Sequence, residues 1–72
     1  MKTFGQKLKA LRIQKGWTQK RLAERIHIDR TTYAKYESDK VKPPMEVWLY
    51  LCIVLDTDPN YLLGWGNRTK NE

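Results

Sequence analysis

Three residues, His27, Ile28 and Asp29, are all that separate two stretches that each read as a short amphipathic helix. A link that short forces two helices to cross sharply, so it constrains everything built around it. The stretch before it opens on Thr18, a good N-cap, and Trp17 is placed to staple onto Leu22. Leu22, Ala23 and Ile26 make its apolar side, while Lys20, Arg21, Glu24 and Arg25 stay wet. The stretch after it opens on Asp29 as cap, with Ile28 and Tyr33 repeating the staple spacing. Helical spacing puts Tyr33, Tyr36 and Glu37 on one side and Arg30, Thr31, Ala34, Lys35 and Ser38 on the other.

The flanks are helical too. Residues 4–15 carry Phe4, Leu8 and Leu11 on one face, and Gly16 stops them. Pro43 and Pro44 open a fourth helix over residues 45–55, whose apolar side chains nearly surround it; it is expected to be the central, most buried element. Asp58 as cap and Pro59 as first helical residue start a fifth helix, which Gly64 ends. The reading is all-α: one five-helix domain over residues 1–66, then a polar, frayed tail over residues 67–72.

With 72 residues, the chain is near the size where one small core just suffices. Its one cysteine, Cys52, excludes an internal disulfide and a cysteine metal cluster, and the lone His27 has no second histidine to share a metal or a catalytic proton. No nucleophile stands with a base and no glycine loop is built to cradle a phosphate; the pair Asp56 and Asp58 is explained by helix capping. The chain is therefore read as no enzyme, with no metal, cofactor or small-molecule ligand. The longest apolar run, residues 47–55, is about half of what a bilayer span needs. No apolar signal stretch is present at the N-terminus, and the expected location is cytoplasmic, without membrane association.

Charge is unevenly placed. Residues 1–42 hold twelve Lys or Arg against Glu24, Asp29, Glu37 and Asp39, a balance of +8. Residues 43–72 hold Arg68 and Lys70 against Glu46, Asp56, Asp58 and Glu72, a balance of −2. Such asymmetry fits one face for a polyanion and another for something else, although Lys and Arg that merely solvate helices would look the same. The outer side of the third helix adds a sharper signal. The DNA major groove admits one α-helix, and Arg30, Thr31, Ala34 and Lys35 lie in its first turns, where side chains reach base edges. Arg30 and Lys35 can donate to guanine, and Ala34 or the Thr31 methyl can meet a thymine methyl. A plain solvated face is the alternative; the short link and the basic first half weigh against it.

The segment TQKRLAERIHIDRTTYAKYE, with LKALR before it and WLYLCIVL and DPNYLLG after it, resembles the lambda-repressor-like Cro/CI (XRE) helix-turn-helix family over about residues 4–64. That resemblance implies a sequence-specific DNA-binding transcriptional regulator, binding a pseudo-palindromic double-stranded operator as a homodimer. It implies a largely buried ion pair between Arg12 and Glu37, linking the first helix to the recognition helix. Gln19 is placed on a backbone phosphate, with Thr18 and Lys20 beside it at the same helix start, and Thr32, Lys40 and Lys42 as further phosphate contacts. The dimer contact is expected around the fifth helix, with Tyr61, Leu62 and Trp65 as anchors. Two departures stand out: His27 and Asp39 occupy positions where the family usually has glycine, so both are expected to need a left-handed backbone. An antirepressor or antitoxin-type protein-interaction module on the same fold is the alternative function.

Overall fold

A computed structural model describes residues 2–63. Five helices follow in order: α1 (Phe4–Gln14), α2 (Gln19–Arg25), α3 (Arg30–Glu37), α4 (Met45–Val54) and α5 (Pro59–Leu63). Among the described residues there is no strand, and no helix is long and apolar enough to cross a membrane. The expected polar tail and Trp65 lie outside the described residues.

Side-chain caps start the helices where short polar residues stand. Thr3 accepts from the Gln6 amide while the Gln6 side chain accepts from the Thr3 N–H, a reciprocal capping box on α1. Thr18 accepts from Arg21 N–H and Asp29 from Thr32 N–H, so both central helices carry caps.

The four longer helices end in one way. Each runs into a residue with positive φ: Gly16 at 76°, His27 at 58°, Asp39 at 64° and Asp56 at 56°. At each, the next N–H reaches back five residues, as from Ile28 to the Ala23 carbonyl and from Lys40 to the Lys35 carbonyl, which satisfies carbonyls left open by the helix. Only one of these four residues is glycine. The left-handed backbone expected at His27 and Asp39 is present, and Asp56 adds a third case that spacing did not single out.

Leu8 of α1, Leu22 and Ala23 of α2, and Tyr33 and Tyr36 of α3 form the heart of the core, closed by Leu51, Leu55 and Leu62 from the second half. Trp17 and Ile28 pack against this cluster from the two links. Helices α1 and α3 approach so closely at Gly5 that a Cβ there would stand 2.2 Å from the Glu37 carbonyl oxygen. Any larger residue must push the two helices apart.

Helix α4 is not the central element its composition led us to expect. Leu51 and Cys52 are buried, but Met45, Leu49, Tyr50 and Ile53 are exposed, Ile53 to 73 %. Its neighbours cover one side of it only, so an all-round apolar sequence leaves an apolar face in water.

Candidate nucleic-acid interface

Helix α3 has two sides of opposite character. Inward, Tyr33 and Tyr36 are buried edge to face, with ring centroids 6.2 Å apart. Outward, Arg30, Thr31 and Lys35 are exposed, and Ala34 lies half-buried between them. Among the described residues no hydrogen bond or ion pair takes up the side chains of Arg30 or Lys35, so their charges are uncompensated. Small Thr31 and Ala34 keep the outer surface low, so another surface can come close to the backbone.

The inner side is held by a carboxylate. Arg12 Nε stands 2.6 Å from Glu37 Oε2 and its Nη2 3.3 Å from Oε1, a two-pronged contact joining α1 to the end of α3. The remaining guanidinium nitrogen donates to the Trp17 carbonyl at 2.7 Å. Two more donors reach the same carboxylate, Gln19 Nε2 at 2.9 Å and the Tyr33 hydroxyl at 2.5 Å. The Glu37 side chain is only 4 % exposed, and it is fully hydrogen-bonded. Burial alone pushes its pKa up; the hydrogen bonds from Arg12, Tyr33 and Gln19 together outweigh that and bring it below the ordinary carboxylate value. The hydrogen bond to Glu37 raises the Arg12 pKa, and burial followed by the Glu37 contact raises that of Tyr33.

A second tie acts just beyond α3. Asp39, in its left-handed conformation, turns its carboxylate onto the start of α1, accepting from Thr3 Oγ1 at 2.6 Å and Gly5 N–H at 2.9 Å. The end of the outward-facing helix is thereby tied to a second helix by a charged hydrogen-bond acceptor.

The other expected contacts sort as follows. Thr18 and Lys20 are exposed at the start of α2, and Gln19 is half-buried with its amide on Glu37. Lys40 and Lys42 are exposed in the link after α3, and Thr32 is half-buried on α3 itself. Tyr61 is 43 % exposed, with Lys7 Nζ 5.0 Å from its ring centroid and donating to its carbonyl. Leu62 is a correction: it is completely buried in the core of its own chain, so it has no surface to offer a second molecule. Sequence reasoning missed the roles of Tyr33 and Asp39. Tyr33 precedes Glu37 by four residues, the spacing of facing side chains on a helix, so that bond was accessible in principle.

Comparison with known proteins agrees with this geometry. A helix-turn-helix family model (HTH_3) matches residues 8–62. The chain is 37 % identical over 60 residues to YonR, an SPbeta prophage-derived, uncharacterized HTH-type transcriptional regulator of Bacillus subtilis, covering 83 % of this chain and 56 % of that protein. It is 34 % identical over 68 residues to the HTH-type transcriptional regulator ImmR of the same organism, covering 94 % of this chain and 54 % of ImmR. Against the HTH-type transcriptional activator BcrR of Enterococcus faecalis, identity is 46 % over 43 residues, or 60 % of this chain and 21 % of BcrR. The chain thus spans about half the length of the Bacillus relatives it matches. With five helices among the described residues, a four-residue link between α2 and α3, and a family match over most of its length, the chain belongs to the helix-turn-helix family of the Cro/CI (XRE) type.

Proposed function

We propose that the chain is a sequence-specific DNA-binding transcriptional regulator of the repressor kind, which inserts α3 into the major groove of a pseudo-palindromic operator as a dimer. The observation that carries this reading is the contrast across α3: an inner side tied by core packing and the Glu37 network, and an outer side presenting Arg30, Thr31 and Lys35. A helix held this firmly can place side chains on base edges reproducibly. In this reading Arg30, Thr31, Ala34 and Lys35 read bases. Thr18, Gln19, Lys20, Thr32, Lys40 and Lys42 contact phosphates and set register. Gln19 would do so with the N–H left after its bond to Glu37, coupling the phosphate to the ion pair.

Fluorescence anisotropy with selected and scrambled duplexes at two salt concentrations tests the proposal. It predicts a strong sequence preference and an affinity that falls steeply with salt; equal binding to both duplexes without salt dependence would overturn it. The exposed apolar residues of α4 favour a second reading, an antirepressor or antitoxin-type protein-interaction module. One tight protein partner, together with no DNA shift at low salt, would support that instead.

A further inference from the structure

We propose that Asp39 is a positioning residue for DNA binding: by tying the link after α3 to the first turn of α1, it holds Lys40 where its ammonium meets a phosphate. This rests on the DNA-binding reading above and adds to it an acidic residue that itself touches no DNA.

The link between α3 and α4 runs over residues 38–44, and every residue in it except Pro43 is exposed. A segment so open to water has little apolar packing to hold it in place. Its first turn is closed by backbone bonds, from Asp39 N–H to the Tyr36 carbonyl at 3.2 Å and from Lys40 N–H to the Lys35 carbonyl at 3.0 Å. Those bonds relate the link to α3 alone. The Asp39 carboxylate reaches a different helix: Oδ2 accepts from Thr3 Oγ1 at 2.6 Å and Oδ1 from Gly5 N–H at 2.9 Å. Gly5 N–H is one of the donors that a helix start leaves open; Thr3 caps Gln6 N–H and Asp39 caps Gly5 N–H. The first turn of α1 is also pressed against the end of α3, since a Cβ on Gly5 would meet the Glu37 carbonyl oxygen. The carboxylate is therefore anchored at a fixed point. Successive Cα atoms are about 3.8 Å apart, so what fixes Asp39 also fixes the base of the Lys40 side chain.

Two arguments run against an acid at this position. The backbone, with φ at 64°, suits glycine better, and a negative charge beside a lysine that meets phosphate weakens the attraction to DNA. The tie is what the side chain offers in return. It also places the charge at the positive end of α1, where two donors and the helix dipole meet it.

Charge alone and the tie predict opposite signs. Asp39→Gly removes a carboxylate and frees the backbone, so by charge alone it should bind DNA more tightly. With the link untied, it should instead bind about fivefold more weakly, equally on a selected and a scrambled duplex, and the slope of log affinity against log salt should flatten by about one. Asp39→Asn keeps an acceptor for Gly5 N–H, can still bond Thr3, and tolerates the left-handed backbone, so it should bind at least as tightly as wild type.

The test is fluorescence anisotropy on the full 72-residue chain with both duplexes over a salt series, at a temperature where circular dichroism shows each variant folded. Partial unfolding lowers the active fraction without changing the salt slope, so the slope is the readout that a merely structural role leaves alone. In a Lys40→Ala background, Asp39→Gly should cost less than about twofold and leave the slope where Lys40→Ala sets it. An Asp39→Gly that binds as tightly as wild type, an Asp39→Asn as weak as Asp39→Gly, or an equal loss with and without Lys40 would overturn the inference while the DNA-binding reading stands. A wild type that binds neither duplex in a salt-dependent way would overturn both.

Discussion

Helix α3 is rich in polar residues and is among the most firmly held elements of the molecule, whereas α4 is the most apolar stretch and lies half open to water. Hydrophobicity alone would assign the two the opposite places. The difference teaches that position in this fold is set by which contacts neighbours offer. Helix α3 has α1 and α2 packed against it, plus two carboxylates that tie its far end: Glu37 to Arg12, and Asp39 to the start of α1. Helix α4 has neighbours along one side only.

The largest effect that would sharpen this contrast is removal of Glu37. Glu37→Ala leaves Arg12, Tyr33 and Gln19 without their shared acceptor and should destabilise the chain by about 3–5 kcal/mol in chemical denaturation. A loss below about 1 kcal/mol would mean that α3 is held by apolar packing alone. The same carboxylate gives stability a pH dependence of definite sign. Its pKa is lowered in the folded chain, so the unfolded chain takes up the proton more readily. The stabilisation is present above the ordinary carboxylate range and is lost as pH falls through it and on through the folded value. The advantage of wild type over Glu37→Gln should therefore shrink as denaturation is repeated at progressively lower pH.

Intermediate effects are expected at the two non-glycine helix ends that flank α3. At His27 the left-handed backbone is needed and the side chain is exposed, so His27→Gly should raise stability by roughly 0.5–1 kcal/mol. At Asp39 the same backbone is needed, but the side chain holds Thr3 and Gly5. Asp39→Gly should lower stability by about 1–2 kcal/mol despite the freer backbone. Thermal unfolding of the two variants would show opposite signs; equal gains would mean that the tie to α1 contributes nothing. The smallest effect belongs to α4, where Leu49→Ala on the open face should change the stability of the isolated chain by less than about 0.5 kcal/mol.

Much of the fold was legible because it is punctuated by residues with one local meaning. Thr18 and Asp29 cap, Gly16 and Pro59 stop and start, and the short link between α2 and α3 is plain in the chain, four residues in the structure where three were expected because α2 ends at Arg25. The positive φ at Asp56 was not legible, since an Asp two residues before another capping Asp reads as part of the same cap. The open face of α4 was hidden for a different reason: an all-round apolar helix does not say which side its neighbours will cover. Leu62 and Tyr61 adjoin in sequence, yet one is in the core and the other is exposed, because a one-residue step turns a helix by about 100°. For the outer stripe of α3, spacing identified the residues that share a side, while the Tyr33 and Asp39 ties depend on contacts brought together only by the fold.

The central claim is that the wet side of α3 reads bases. Selection of bound sequences from a random duplex pool, run in parallel with wild type and Arg30→Ala, tests it most directly. The account predicts a two-fold symmetric site for wild type, and for Arg30→Ala a loss of preference at one base pair in each half, worth about 1–3 kcal/mol there. Recovery of the same site with undiminished preference at every position by both proteins would contradict it.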